Sequence, residues 1–172
     1  MFWEKESDLM QLIEGRLVEQ ALSLSEKSFS NSVIELIKKQ FSGYTNLTIE
    51  GFDGLEEATL IFREGKIIAS VYEYLKYGVI VNGNSAIAQV FNAGSAELGV
   101  FDVVSFRSTD AELTIAVNPK IRISVDVSSS DVNKLTHKGF NPAYARKVLS
   151  MVMKTSSHRP ELMKKLGLGD MG

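Results

Sequence analysis

The stretch ATLIFREGKIIASVYEY, residues 58–74, decides the fold class. Apolar residues alternate through Ala58–Arg63 and again through Lys66–Tyr74, and a period of two is the mark of a half-buried strand. Between them lies Arg63-Glu64-Gly65-Lys66, whose glycine supplies the positive φ of a tight hairpin turn. The two runs therefore predict an antiparallel hairpin. Its second strand ends in Val71-Tyr72-Glu73-Tyr74 and carries one carboxylate, Glu73. Alternation counted from Ile67 and Ala69 puts Val71 and Glu73 on one face, with Ile68, Ser70, Tyr72 and Tyr74 on the other.

Neighbouring segments extend the sheet. Tyr44–Glu50 alternates with Leu47 and Ile49 on one side, and Leu55-Glu56-Glu57 reads as the loop joining it to the hairpin. Tyr77–Val81 reads as a short strand or an extended entry to a helix, and Gly99–Arg107 as a strand with Phe101 and Val103 on one face. Lys120–Val127 alternates as a strand. Residues 109–117 stay open: Thr109 with Glu112 forms a capping box, while Leu113-Thr-Ile-Ala-Val117 alternates like a strand.

Helices frame these strands. In SVIELIKKQF, residues 32–41, Val33, Ile34, Leu36, Ile37 and Phe41 form a stripe. Asn31 or Ser30 can cap it, and Gly43 can end it. Residues 85–93 read as a helix burying Ala86, Ile87, Val90 and Phe91. Residues 4–25 are helix-like up to Gly15, after which a strand and a second short helix both fit. Ser128-Ser-Ser-Asp131 breaks the composition. Beyond it Asn141-Pro142 opens a helix with the stripe Ala145, Val148, Leu149, Val152 and Met153, and a last short helix spans about Arg159–Leu166. The expected architecture is α+β: an antiparallel sheet of about five strands with helices packed on it and a short helical C-terminal tail. It divides into a core domain over 1–127 and a basic helical extension over 128–172.

Charge is unevenly spread. The net charge is −2, yet residues 131–172 carry eight Lys/Arg against three Asp/Glu, and the first 130 carry eleven against eighteen. A basic end on an acidic body either lies against that body or meets an acidic partner. Arg146, Lys147, Lys154, Lys164 and Lys165 are the candidate basic contacts. The chain has no cysteine, which removes disulfides and thiolate metal sites and suits a cytoplasmic setting. No apolar run reaches the ~18–20 residues of a membrane helix, and Met1–Ser7 lacks the pattern of a secretory leader.

Catalytic motifs do not appear. GxxxxGK[ST], GxGxxG and GxSxG are missing, and the two histidines, His137 and His158, both lie in the basic end. No cofactor and no metal are expected. Glu73 is the strongest single acid, since a buried carboxylate has a raised pKa and can transfer protons, with Glu50, Glu56 and Glu57 near it in sequence. A structural or interface role suits it better. Tyr72, Tyr74 and Tyr77 form an aromatic cluster. Stacking platforms for single strands resemble it, but those come with Lys/Arg, and only Lys76 is close. Tyr72, Tyr74 and Tyr77 are thus read as core edge or protein interface, and Glu73 as an edge or interface residue beside them.

The segments GYTNLTIEG, EEATLIFREGKIIASVYEY, NGNSAIAQVFN and ELGVFDVVSF, with RPELMKKLGL at 159–168, resemble an archaeal domain family of unknown function. That family is similar to PATAN-type adaptor domains of bacterial signalling proteins; a roadblock/longin-type domain is the rival resemblance. Either implies an α+β scaffold without catalytic residues, working by protein contact. The resulting expectation is a non-enzymatic adaptor or assembly domain with a protein partner, a second copy of the chain included. The alternative is a nucleic-acid or small-ligand module that uses the basic C-terminal region.

Overall fold

The structure is a computed structural model, and it describes residues 12–155. Leu9 and the other residues before 12, the helix expected near Arg159–Leu166, and Lys164 and Lys165 lie outside the described residues. Six strands form one antiparallel sheet in the order β1-β6-β2-β3-β4-β5. They are β1 (Arg16–Ser23), β2 (Gly43–Gly51), β3 (Gly54–Arg63), β4 (Lys66–Tyr74), β5 (Val79–Asn82) and β6 (Gly99–Ser105). Among the described residues the helices are α1 (Phe29–Lys38), α2 (Asn84–Ala93), α3 (Ser108–Val117), α4 (Ser129–Leu135) and α5 (Pro142–Met153). The α+β class expected from the alternating runs is the one observed.

The β3–β4 hairpin turns as its residues require. Glu64 and Gly65 both have positive φ, 49° and 80°, which is the tight two-residue turn whose twist matches the flanking strands. Strand β3 starts earlier than polarity suggests. Leu55-Glu56-Glu57 is strand, not loop, and Phe52-Asp53 alone joins β2 to β3. Two charges side by side read as solvent, but here one points to each face.

Cross-strand register sorts the sheet's residues. On the main face Leu22, Phe101, Leu47, Ala58, Tyr72 and Val81 form one row across all six strands. Helices α1, α2, α4 and α5 supply Phe29, Val33, Val90, Phe91, Val132 and Leu149 to the same core. The apolar stripe on α5 (Ala145, Val148, Leu149, Met153) is therefore buried, with Val152 packed against it. On the second face α3 and a following 3-10 turn cover Ile61, Ala69 and Val71 with Ala111, Ile115 and Ile121. The bulge at Ile68 corrects the simple alternation: Phe62 pairs with Ile67 and Ile61 with Ala69. Ile67 thus joins Tyr72 and Tyr74 in the main core, while Ala69 belongs to the second.

Other boundaries shift for local reasons. Gly15 is followed by a strand, β1. Ser28, not Asn31 or Ser30, caps α1, its Oγ accepting from the Asn31 N–H at 3.2 Å. The helix stops at Lys38, ahead of Gln40 with φ 52°. Gly43 opens β2 instead, where a Cβ would lie 2.1 Å from the Val104 carbonyl oxygen. Residues 109–117 are helix. Its cap is Arg107 with Asp110, the Arg107 N–H donating to Oδ2 at 3.0 Å, so Thr109 and Glu112 do not form it. Lys120–Val127 is not a strand. Ile121 packs in the second core and Ile123 in the main one, so the segment crosses the sheet edge. An Ala69–Arg122 bridge and an Ile123 N–H to Ile68 carbonyl bond of 3.0 Å attach it to β4, and the Ser124 N–H donates to Asn84 Oδ1 at 2.9 Å. A flat strand would have set both isoleucines on one face.

Candidate functional site

Two groups of polar residues stand out, one inside the main core and one on the second face. The interior group grows from the outer row of the main face, where Glu56 sits between Ile49 on β2 and Tyr74 on β4. Alternation that points Leu60 and Ala58 inward points Glu56 inward too, and it is 2% exposed. The Tyr72 hydroxyl donates to its Oε2 at 2.6 Å. Its Oε1 has no partner, and neither does Nε2 of buried Gln89 on α2. Gln89 Nε2 lies close enough to the Tyr72 hydroxyl to oppose the rise in that group's pKa without making a bond of ordinary geometry.

Burial dominates the electrostatics. Desolvation pushes the Glu56 carboxyl above its usual range; the Tyr72 hydroxyl and the Phe52 backbone N–H oppose that rise, and Asp53 adds to it. Desolvation and the Glu56 charge push Tyr72 and Tyr74 upward as well. The Tyr74 hydroxyl donates to the Ala145 carbonyl at 2.7 Å, tying β4 to α5. Asn92 on α2 makes a second tie: its amide accepts from the Asn141 N–H at 2.8 Å and donates to the Asn141 carbonyl at 3.0 Å.

At the rim, Lys76 bonds Asp53 at 2.7 Å and the Tyr77 hydroxyl also donates to Asp53. Lys76 and Tyr77 together hold the Asp53 carboxyl below the usual range. Burial, then the bond to Asp53, lifts the Tyr77 hydroxyl to about 12. Phe52 stacks on Tyr77 with ring centroids 6.5 Å apart and meets Tyr74 edge-on at 6.2 Å.

The structure separates the residues that the sequence grouped. Tyr72, Tyr74 and Tyr77 are buried, at 0%, 1% and 7% exposure, so they are core and not a stacking surface. Glu73 lies on the opposite face, half-buried and directly across from Glu57. Desolvation raises its pKa, and the Glu57 charge raises it further. Arg146, Lys147 and Lys154 are exposed on the outer side of α5. Among the described residues no three metal-ligating side chains come together, and no helix is long and apolar enough to cross a membrane.

Glu56, Gln89 and Asn92 escaped the sequence reading. Glu56 shares a face with Ala58 and Leu60 by period two. Gln89 and Asn92 stand three apart on the buried side of α2. The signal was a polar residue in an apolar register.

The family model for an uncharacterized protein conserved in archaea, DUF2226, matches residues 10–118. The chain belongs to that archaeal family. The match spans all six strands and α1 to α3, so it includes the Glu56 group and the Glu57–Glu73 pair, and it stops before α4 and α5. Comparison with curated proteins and with solved structures found no match.

The interior group yields a pH prediction. Burial raises the folded-state pKa of Glu56 above its unfolded value, so folding favours the protonated form. Stability from that difference is complete below the unfolded pKa and is lost as pH rises through the folded pKa. Glu73 acts in the same direction, so a single titration of the chain mixes the two. The melting temperature of Glu56→Gln minus that of the unmodified chain should therefore increase as pH rises from the unfolded pKa to the folded one and level off above it. Thermal unfolding at matched ionic strength over about pH 4–8 reads this difference. A difference that shrinks with pH would mean that Tyr72 stabilises an ionised Glu56 more than burial opposes it.

Proposed function

We propose that this DUF2226 chain is a non-enzymatic interaction or assembly domain. One observation carries the reading: among the described residues, α3, the 3-10 turn after it and Leu12 cover only part of the second sheet face. The remainder presents Val100 and Leu55, 45% and 54% exposed, among half-buried polar side chains. Exposed apolar residues gathered on one face, with polar ones around them, are how a docking surface looks. The strongest interior acid, Glu56, is by contrast enclosed by Tyr72 and the main core. The resemblance to PATAN-type and roadblock/longin-type domains supports the same class of function.

The sheet's edges favour contact through a face. β1 breaks register twice against β6, and Ala21 has φ 50° with its N–H bonded to Asp102 at 2.6 Å. Bulges of this kind stop a further strand from pairing. Where β5 ends, Arg122 and Ile123 take over the outer edge of β4 at Ala69 and Ile68.

Light scattering on the purified chain, followed by affinity capture with quantitative mass spectrometry, tests the proposal. Assembly into a defined oligomer, or one reproducible protein partner, is the expected outcome. A lone monomer with no partner would overturn it. A second reading, nucleic-acid or small-ligand binding, draws on exposed Arg146, Lys147 and Lys154. It requires binding to an anionic ligand that weakens steeply with salt and with Lys147→Glu/Lys154→Glu.

A further inference from the structure

The register places a specific chemistry on the bare part of the second face. One row runs across all six strands: Ser23, Val100, Thr48, Glu57, Glu73 and Ile80. Asp102 pairs with Asn46 in the row toward α3, and Glu50 pairs with Leu55 in the row beyond. Four carboxylates thus share this surface with exposed Val100 and Leu55, while Ile80 at the end of the row packs against the second core, and these rows contain no lysine or arginine. Like charges directly opposite each other destabilise a sheet, yet Glu57 faces Glu73. Among the described residues neither Glu57 nor Glu73 has an ion-pair partner, and both point away from the main core.

We infer that this half-face docks a lysine- or arginine-bearing amphipathic helix of a protein partner, laid beside α3. This rests on the interaction reading above and names the partner's chemistry. Apolar side chains of such a helix meet Val100 and Leu55, and its cations meet Glu50, Glu57, Glu73 and Asp102. A sheet face half-covered by one helix is completed by a second helix in the same layer. Charge complementarity selects a basic occupant. It also disfavours a second copy docking through the same patch, which would set carboxylates against carboxylates, and it disfavours any polyanion.

The test is amide NMR on the full chain, titrated with a synthetic helical peptide of repeating Leu-Lys-Lys-Leu-Leu-Lys-Leu. A counterpart peptide with glutamate for lysine serves as the control. The lysine peptide should shift the amides of Thr48, Glu57, Glu73, Val100 and Asp102. The effect should weaken between about 50 and 300 mM salt, and the glutamate peptide should have none. Glu57→Gln/Glu73→Gln removes two opposed charges and so should fold at least as well, while weakening binding about tenfold or more. Shifts centred on α3 or α5, binding unchanged by that double variant, or no binding would overturn the proposal.

Two further outcomes also overturn it by naming another occupant. If Lys164→Glu/Lys165→Glu moves the same amides without peptide, the chain's own C-terminal residues fill the face. If those amides move on dilution, a second copy does. A partner captured in the previous experiment that leaves these amides unmoved would sink this inference while sparing the interaction reading.

Discussion

Phe29→Ala should lower the unfolding free energy by about 3–5 kcal/mol, the usual range for truncating a buried phenylalanine. Phe29 opens α1 with none of its surface exposed. Its ring meets Phe101 of β6 edge-on at 5.3 Å and Phe91 of α2 at 6.3 Å. It therefore joins two helices to the sheet, and its removal leaves a cavity that three elements would have to close together. The site is also tight: a Cβ on Gly94 would lie 2.5 Å from Phe29 Cδ1. Gly94→Ala alone should therefore be destabilising through overpacking, by about 1–3 kcal/mol. In Phe29→Ala/Gly94→Ala the added methyl has room, so the double variant should lose less than the sum of the two. Urea unfolding of all four chains reads this cycle. Strict additivity would show that the two sites do not share one packed volume.

The fold could be read where apolar periodicity was strong and local. The β3–β4 hairpin, the inward faces of β2 and β6, the helix over 85–93 and the Asn141-Pro142 start of α5 all follow from residue pattern and turn chemistry. Errors arose where tertiary structure overrode a local pattern. Lys120–Val127 alternates because successive apolar residues serve two different cores as the chain rounds the sheet edge, and a one-dimensional pattern cannot tell that from a strand. Glu56 looked like loop because charge reads as solvent, although its parity with Ala58 and Leu60 pointed inward. Tyr72 and Tyr74 read equally as core edge and as interface; the six-strand register places them in the core, and register depends on partners distant in sequence. The same register turned Glu73 from a lone acid into half of a facing pair with Glu57. For the candidate site, then, Glu57 and Glu73 were visible but their pairing was not, and Gln89 was hidden as one polar residue in an apolar helix register.

Asn92→Ala should release α5 from the rest of the molecule. The Asn92 amide is wholly buried and serves three groups: it accepts from the Asn141 N–H and donates to the Asn141 carbonyl and to Gln89 Oε1. Truncation leaves Gln89 with a second unpartnered polar atom in the core, since its Nε2 already lacks one. A buried group left without a partner costs about 1–3 kcal/mol, and a simple hydrogen bond contributes about 1 kcal/mol, so the total loss should be about 3 kcal/mol. The loss should also be local. Asn92 and Tyr74 lie within the residues matched to DUF2226, whereas Asn141 and Ala145, the backbone they hold, lie beyond them. Hydrogen exchange in residues 142–153 should therefore rise before exchange in β2, β3 and β6. Tyr74→Phe, which removes only the bond to the Ala145 carbonyl, should act in the same place with about 1 kcal/mol. Faster exchange spread evenly over sheet and helix would refute this, because it would mean that α5 and the sheet open as one unit. Local release would instead establish α5 as a separable layer, held on the sheet domain by two side chains and an apolar stripe.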